Sequence, residues 1–392
     1  MWRRAVALVN ARVAAEGGLA SSIRFSSRVL GIDSLPGRRD VVIDVGGAFV
    51  LPGLLNAHDH LELNHFGRVK FRDSYENASS WIDDMRPKLR EDPAIREGRS
   101  HRLRDRLLVG ALKNLLSGVT TVSHHNPFYR ELGRGFPVRV VRRYGWAHSL
   151  FLEKTPDVER AYRETPRDAP FLIHLAEGFD ASARGELTRL RELGCLRENT
   201  VLVHGVGLSP EDWSSVGRAG AGLVWCPASN LFLLGRTARV DRFLASDRFS
   251  IALGTDSRLS GEGDLLEELR VARTAASVES EELLRLVTVN AAHLLRVPEA
   301  GRLSPGLPAD LVVIPPLAGE PADALLALYR NQIRLVVVGG RPLVGAPELS
   351  PVFAARRVAT AKATLDGQER ILDGALARRI RASSLAEPGL EL

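Results

Sequence analysis

Hydrophobic and polar residues fall into three textures along this chain. Residues 5–52 run in short alternating stretches, AVALVNARV, SSIRFSS, VLGID, VVIDV and AFVLPG, broken by turns. Alternation of that length predicts short strands. Residues 309–344 return to the same texture with ADLVVIP and IRLVVVGGRPLV. Strands this short do not make a domain alone, so the two chain ends are expected to build one small β module together.

Between them, apolar runs alternate with helical stretches, which predicts βα units around a parallel sheet. Arg102 to Leu116 reads as a helix, with Gly118 where a C-cap belongs and GVTTVSHH following. Then come VRVVRRYGWAHS, FLIHLAEG, TVLVHGVG, GAGLVWCPASN and FSIALGTDS. With the run into His58 these make seven strands. The interval from Gly118 to His174 is short for two strands and two helices, so one βα unit is expected to be reduced or irregular. From Ala361 to about Leu385 the composition is helical, ILDGALARRI being amphipathic, and the last residues are expected to fray.

Strands whose C-terminal ends carry functional groups are what a (β/α)8 barrel displays. The expectation is therefore an α/β fold, a distorted TIM barrel with a small composite β-sandwich made by the N- and C-terminal segments. Its boundaries are 1–52 for the first part of the sandwich, 53–307 for the barrel, 308–360 for the second part and 361–392 for a helical tail.

Four runs end in metal-ligand chemistry: LPGLLNAHDHLE in His58 and His60, FLIHLAEG in His174, VLVHGVG in His204 and SIALGTDS in Asp256. Residues two apart on a strand share a face, so His58 and His60 can grip one ion while Asp59 points away. A single histidine at a strand end is more often a hydrogen-bonded structural residue. Five such groups in this order argue for a metal site. Three imidazoles and one carboxylate, His58, His60, His174 and Asp256, suit Zn²⁺ or Fe²⁺, with Zn–N contacts of about 2.0–2.1 Å and a position open to water. Water on such an ion has its pKa lowered from ~15.7 to roughly 7–9.

Glu177 follows His174 in the loop beyond its strand, where it can shuttle a proton from that water to a substrate nitrogen. His204 can polarise the substrate oxygen or hold the hydroxide. Asp256 has a second possible job as general base. His124 and His125 end one strand; alternation turns one of them inward as a candidate substrate contact, packing being the alternative for both. His148 stands in the same position on the next strand. Trp81 is a candidate pocket wall, with a place in the core as the commoner role of a helical aromatic. His65, Arg68, Lys70 and Arg72 read as a solvated loop, Cys226, Ser229 and Asn230 as loop architecture, and His101 and His293 as structural.

Composition adds exclusions. At 392 residues and 45% apolar, the chain can bury one large core. Its charge of +6 comes with scattered arginine and lysine only at 70, 88, 113, 154 and 362. No aromatic-interleaved basic stripe appears, which argues against nucleic acid. Two cysteines, Cys195 and Cys226, cannot make a disulfide framework, and a cytoplasmic setting is expected. MWRRAVALVNARV has the arginines of a signal peptide, but its apolar run is short and continues as strand. No uninterrupted run of ~18 apolar residues predicts a membrane span.

VLPGLLNAHDHLE, SGVTTV, HLAE, VLVHG, WCPASN, ALGTDS, TVNAAHLL and the closing G-x-L-x-P-G-x-x-A-D-L-V-V of Gly301 to Val313 together resemble the amidohydrolase superfamily, within it the cytosine deaminase and triazine hydrolase-like branch. The resemblance covers most of the chain. It implies a distorted barrel with a composite sandwich, His58, His60, His174 and Asp256 as metal ligands, Glu177 as proton shuttle and His204 as substrate or hydroxide contact. Two-metal members bridge their ions with a carboxylated lysine at the fourth strand. The one lysine in that interval, Lys154, precedes Thr155-Pro156 in a loop, so a single ion is implied. The adenosine and S-adenosylhomocysteine deaminase relatives carry a Glu where this chain has Ser80, and a His-x-Pro-Tyr segment that it lacks. Both departures argue against a nucleoside substrate.

The sequence thus points to a hydrolase of non-peptide C–N bonds using one divalent ion, zinc first and iron or manganese as alternatives. It would deaminate a small nitrogen heterocycle or open a cyclic amide. Hydrolysis of a linear amide or carbamate, or of an aryl chloride, is the nearest enzymatic alternative; a catalytically silent assembly protein is the non-enzymatic one. A small-molecule substrate is expected, with neither nucleic acid nor membrane as partner, in a homodimer or higher homo-oligomer.

Overall fold

The computed structural model describes residues 4–244 and 249–392. Two parallel sheets occupy its middle. The first orders Arg139–Val140, Val119–His124 and Leu54–Asp59; the second orders Gly145–Ser149, Phe171–Leu175, Thr200–His204, Gly222–Trp225 and Ser250–Leu253. Their strands are buried on both faces, which is why they read as near-continuous apolar runs. Alternate residues separate into two cores. Leu172, Val201, Val203, Val224 and Ala252 join Leu55 and Ala57 of the other sheet in one cluster, while Phe171, Ile173, Leu202, Leu223 and Ile251 join the helices in another.

The helices between the strands carry the end signals their residues dictate. Pro210–Ala219 opens on a capping box, Ser209 accepting from Asp212 N while Asp212 reaches back, and closes on Gly220 at φ +67°. Leu103–Leu116 is followed by Gly118 at φ +85°.

The interval that reads as short holds an irregular unit. Arg139–Val140 pairs with Val119–His124, whereas Gly145–Ser149 pairs with Phe171–Leu175. Only residues 141–144 separate them, and parallel neighbours need a crossover of a dozen or more residues. The two strands are therefore not neighbours in one sheet, and the link between them crosses from the first sheet to the second. Among the described residues the two sheets hold eight strands, and no helix separates Arg139–Val140 from Gly145–Ser149.

The chain ends form two further sheets. Val29–Ile32, Ile23–Phe25, Val6–Val9 and Val41–Asp44 make one; a nine-stranded sheet runs from Leu390–Glu391 to Gly18–Ala20. Within the latter, Phe49–Pro52 lies antiparallel to Leu311–Ile314, Leu51 opposite Val312, which joins the distant ends as expected. Val6, Leu8, Phe25, Val50, Leu311, Val337 and Phe353 share one buried cluster, each worth ~1.5–3 kcal/mol of apolar burial.

The helical tail expected over 361–392 is corrected. Thr360–Leu365 and Gln368–Asp373 form a hairpin, and the helix is confined to Gly374–Arg381. The alternation of Ala363, Leu365 and Ile371 inward and the turn at Asp366-Gly367, both at positive φ, override the helical composition. The last residues are not frayed: Leu390 pairs with Leu365 and is buried. Among the described residues no helix is long and apolar enough to cross a membrane.

Candidate metal centre

The ends of three strands, Leu54–Asp59, Phe171–Leu175 and Ser250–Leu253, bring His58, His60, His174 and Asp256 together. His60 Nε2 stands 3.3 Å from His174 Nε2, and Asp256 Oδ1 lies 3.7 Å from His60 Nε2 and 3.8 Å from His58 Nε2. The backbone is shaped for this convergence. Asp256 turns at φ +52° just after its strand, a region ordinary side chains rarely occupy, and its N–H donates to the His58 carbonyl at 3.1 Å. Gly254 makes the approach possible, since a Cβ there would sit 2.7 Å from His58 Cβ.

The remaining ring nitrogens are engaged elsewhere. His174 Nδ1 donates to the His148 carbonyl at 2.7 Å. His125 Nε2 donates to the Ala147 carbonyl at 3.0 Å, which leaves its Nδ1 to accept from His58 Nδ1 at 3.3 Å. Both arrangements free Nε2, the usual work of a partner behind a ligating histidine. His58 Nε2 is buried with no hydrogen-bond partner among the described residues. An orphaned imidazole nitrogen 3.8 Å from a carboxylate oxygen, with ligand atoms of His58, His60 and Asp256 all within 4.8 Å of one another, fits a divalent cation with nitrogen and oxygen ligands. Burial drives the basicity of the cluster down, holding His60 at about 3 and His58 and His174 well below their ordinary value, with the neighbouring imidazoles adding to the effect. Burial alone would raise Asp256, but the imidazoles of His60, His204 and His174 and the Ser260 hydroxyl keep it below the usual carboxylate range. The set is thus ready as neutral imidazoles and a carboxylate, the forms a metal requires.

Ser229 and Ser260 each donate to Asp256 Oδ2 at 2.8 Å, and Asn230 Oδ1 accepts from His204 Nδ1 at 2.8 Å. The segment read as loop architecture is in fact a helix, Pro227–Leu234, whose first turn orients two site residues. WCPASN carried the hint, Pro227 standing at the first helical position.

A cavity of about 200 Å³ is lined by His60, His174 and Asp256. Leu63, Trp81, Ile82, Leu152, Leu233 and Leu259 supply apolar wall; Glu177, His204 and His148 supply polar groups. His204 takes φ +76° at the end of its strand, which turns its ring out of the alternation and toward the cavity. Its Nε2 is 3.5 Å from Glu177 Oε1. Burial pushes the Glu177 carboxyl up to about 7, against the pull of His204 and helped by Asp256 and Glu186. Glu186 Oε2 accepts from Ala176 N at 2.6 Å and so pins the turn that carries Glu177.

Trp81 lines the cavity, its Nε1 donating to the Val69 carbonyl at 2.9 Å. His148 lines it too, its ring 4.6 Å from that of His174. His124 and His125 are corrected: both are buried and neither lines the cavity. His125 reaches His58 instead, because the strand ends before it and its N–H binds the Asp59 carbonyl. His124 faces Glu62, at 3.8 Å. His65 bonds the Gly98 carbonyl and His101 faces Ser384, both clear of the cavity.

Asp59 points away from its neighbours His58 and His60, into a buried network with Lys113, Asn114 and Asn64. Lys113 was not singled out by sequence. The available signal was one lysine inside the apolar helix LLVGALKNLL.

Imidazoles and a carboxylate thus gather at the strand ends of the two parallel sheets in groups that could hold a metal ion. The amidohydrolase family matches residues 157–343 of the chain. The chain is 30% identical over 203 residues to a 5-methylthioadenosine/S-adenosylhomocysteine deaminase of Pyrococcus abyssi, an alignment covering 46% of this chain and 47% of that one. Here the chain spans about half the length of its relative. A deaminase of the same description from Syntrophobacter fumaroxidans is 26% identical over 399 residues, with 86% and 87% covered. In fold it is similar to atrazine chlorohydrolase from Arthrobacter aurescens complexed with zinc, with a TM-score of 0.73, 19% identity, and 90% of this chain and 99% of that one covered.

Proposed function

We propose that the protein hydrolyses non-peptide C–N bonds with the help of one divalent cation, zinc first, and deaminates a small neutral nitrogen heterocycle. The observation that carries this reading is the juxtaposition of His60, His174 and Asp256 with Glu177 and His204 around one small, largely apolar cavity. Deaminase relatives support it. In this reading the two parallel sheets are arcs of a distorted barrel over residues 53–307. The sheets from 1–52 and 308–360 form a composite sandwich, and two buried, unpaired cysteines suit a reducing cytoplasm.

His58, His60, His174 and Asp256 would hold the cation, which when bound lowers the pKa of a water and supplies a nucleophile at neutral pH. Glu177 takes a proton from the attacking water and delivers it to the leaving nitrogen. A carboxyl poised near 7 does both with little penalty. Water adds to an sp² ring carbon, the C–N bond breaks, ammonia leaves and a carbonyl remains. His204, fixed by Asn230, presents Nε2 to the oxygen that forms. The walls hold the ring in a space smaller than ordinary drug-sized pockets of ~300–1,000 Å³, which favours a bare heterocycle over a nucleoside.

The test is an ammonia-release screen of zinc-loaded protein across heterocyclic amines, run beside cyclic amides followed for ring opening. Ammonia from an amino-heterocycle is expected. Ring opening without ammonia would replace deamination by cyclic amide hydrolysis.

A further inference from the structure

Behind the ligand groups lies a buried charged cluster that the proposed chemistry does not use. Lys113, on the helix Leu103–Leu116, is 0% exposed. Its ammonium reaches Asn64 Oδ1 at 2.8 Å, Thr255 Oγ1 at 2.9 Å, the Asp256 carbonyl at 2.9 Å and Asp59 Oδ2 at 3.3 Å. An ammonium has three hydrogens, so four acceptors oversaturate it. Asp59 is equally enclosed, accepting from Asn114 Nδ2 at 2.8 Å, Asn56 Nδ2 at 3.2 Å and Asn64 Nδ2 at 2.8 Å.

The connectivity matters more than the pair. Asp59 sits between His58 and His60 on one strand end, and the carbonyl that Lys113 holds belongs to Asp256 on another. One ammonium therefore ties the segment carrying two ligands to the segment carrying a third. Asn56 repeats the tie, its Nδ2 donating to Thr255 Oγ1 at 2.7 Å and its Oδ1 accepting from Thr255 N at 3.1 Å. A buried ion pair is poor evidence of stabilisation, since apolar replacements often do as well. Its distinctive property is that it fixes geometry.

We propose that Lys113 and Asp59 are positioning residues that set the spacing between the His58–His60 segment and Asp256 before a cation arrives, and so govern metal affinity. This rests on the ligand set proposed above.

The experiment measures zinc affinity by chelator competition on metal-free protein, beside melting temperature, for wild type, Lys113→Met, Asp59→Asn and the Lys113→Met/Asp59→Asn double variant. The single variants leave one charge buried alone and are expected to melt lower. The double variant removes both charges at similar volume. It is expected to recover most of the melting temperature while binding zinc tenfold to a hundredfold more weakly, the usual loss when a group supporting a ligand is removed. A double variant that binds zinc as tightly as wild type overturns the proposal. Wild-type protein that takes up no zinc overturns the ligand set and the proposal together. Should the double variant fail to fold, Thr255→Val removes one Lys113 acceptor without stranding a charge. An affinity loss of about threefold or more at unchanged melting temperature supports the proposal, and unchanged affinity overturns it.

Discussion

Glu177 Oε1 stands 3.5 Å from His204 Nε2, the ring nitrogen left free because Asn230 holds Nδ1 at 2.8 Å. The tautomer of His204 is thus decided on the far side of its ring. Asn230→Ala should let that ring turn and lower kcat by about tenfold, with zinc content unchanged. Steady-state kinetics on the screened substrate beside metal analysis would check it; lost zinc would mean that Asn230 supports the ligands instead.

Glu177→Gln keeps the shape of the side chain and removes its proton traffic. Turnover should fall by roughly 10²–10⁴ while zinc binding stays intact. Unchanged turnover would rule Glu177 out as the shuttle.

Acid should unfold the metal-free protein readily. His60 and His148 are held neutral to about 3 by burial, whereas the unfolded chain takes up those protons near 6.5. Between these values the unfolded state binds more protons, so stability falls as pH drops through the window. Glu177 works the other way, keeping its proton up to about 7 in the fold and favouring the folded state as pH falls from 7 toward its ordinary 4.5. Glu186, also held at about 7, and Glu62 and Glu268, raised by burial, act in the same direction as Glu177. But the imidazoles of His58, His60, His124, His125, His148 and His174 are all depressed by burial, and the imidazoles win. Melting temperatures from pH 8 to 4 should decline, and His148→Asn should flatten the decline.

Zinc should stabilise. At a free concentration 1,000 times Kd it adds about 4 kcal/mol, so chelation should lower the melting temperature by several degrees. His60→Ala or Asp256→Asn should abolish both the stoichiometric metal and this shift. Calorimetry with and without chelator reads the effect, and a melting temperature indifferent to chelator would count against the site.

Trp81 closes part of a cavity of about 200 Å³. Trp81→Ala should raise KM for the smallest substrates several-fold and admit ring substituents that wild type rejects. An unchanged substrate profile would place the specificity wall elsewhere.

The gathering of His58, His60, His174 and Asp256 was legible because a strand end is a local event. An apolar run stops, and a histidine or aspartate stands at its stop. Glu177 was legible for the same reason. What lay outside reach was long-range. His125 serves His58 across two strands, and Asn230 and Ser229 orient His204 and Asp256 from a short helix that looked like a loop. Lys113 acts through Asp59 over 54 residues of chain. The tail misled because helix-favouring composition gave way to pairing with a sheet edge that only the fold supplies. The short interval before His174 was correctly suspect, but its resolution, two strands of different sheets joined by four residues, depends on pairing that no local pattern encodes.

The loop after Ser149 leaves the molecule a place to change. After Ser149 the chain turns through Phe151 and Leu152, both partly exposed at 43% and 37%, and enters its next helix at Thr155. Leu152 borders the cavity, yet none of residues 150–154 belongs to the ligand set. New residues inserted there would lengthen the lip over bound substrate while His174 kept its bond to the His148 carbonyl. The loop at 150–154 can therefore acquire new selectivity by addition alone, the reacting groups untouched.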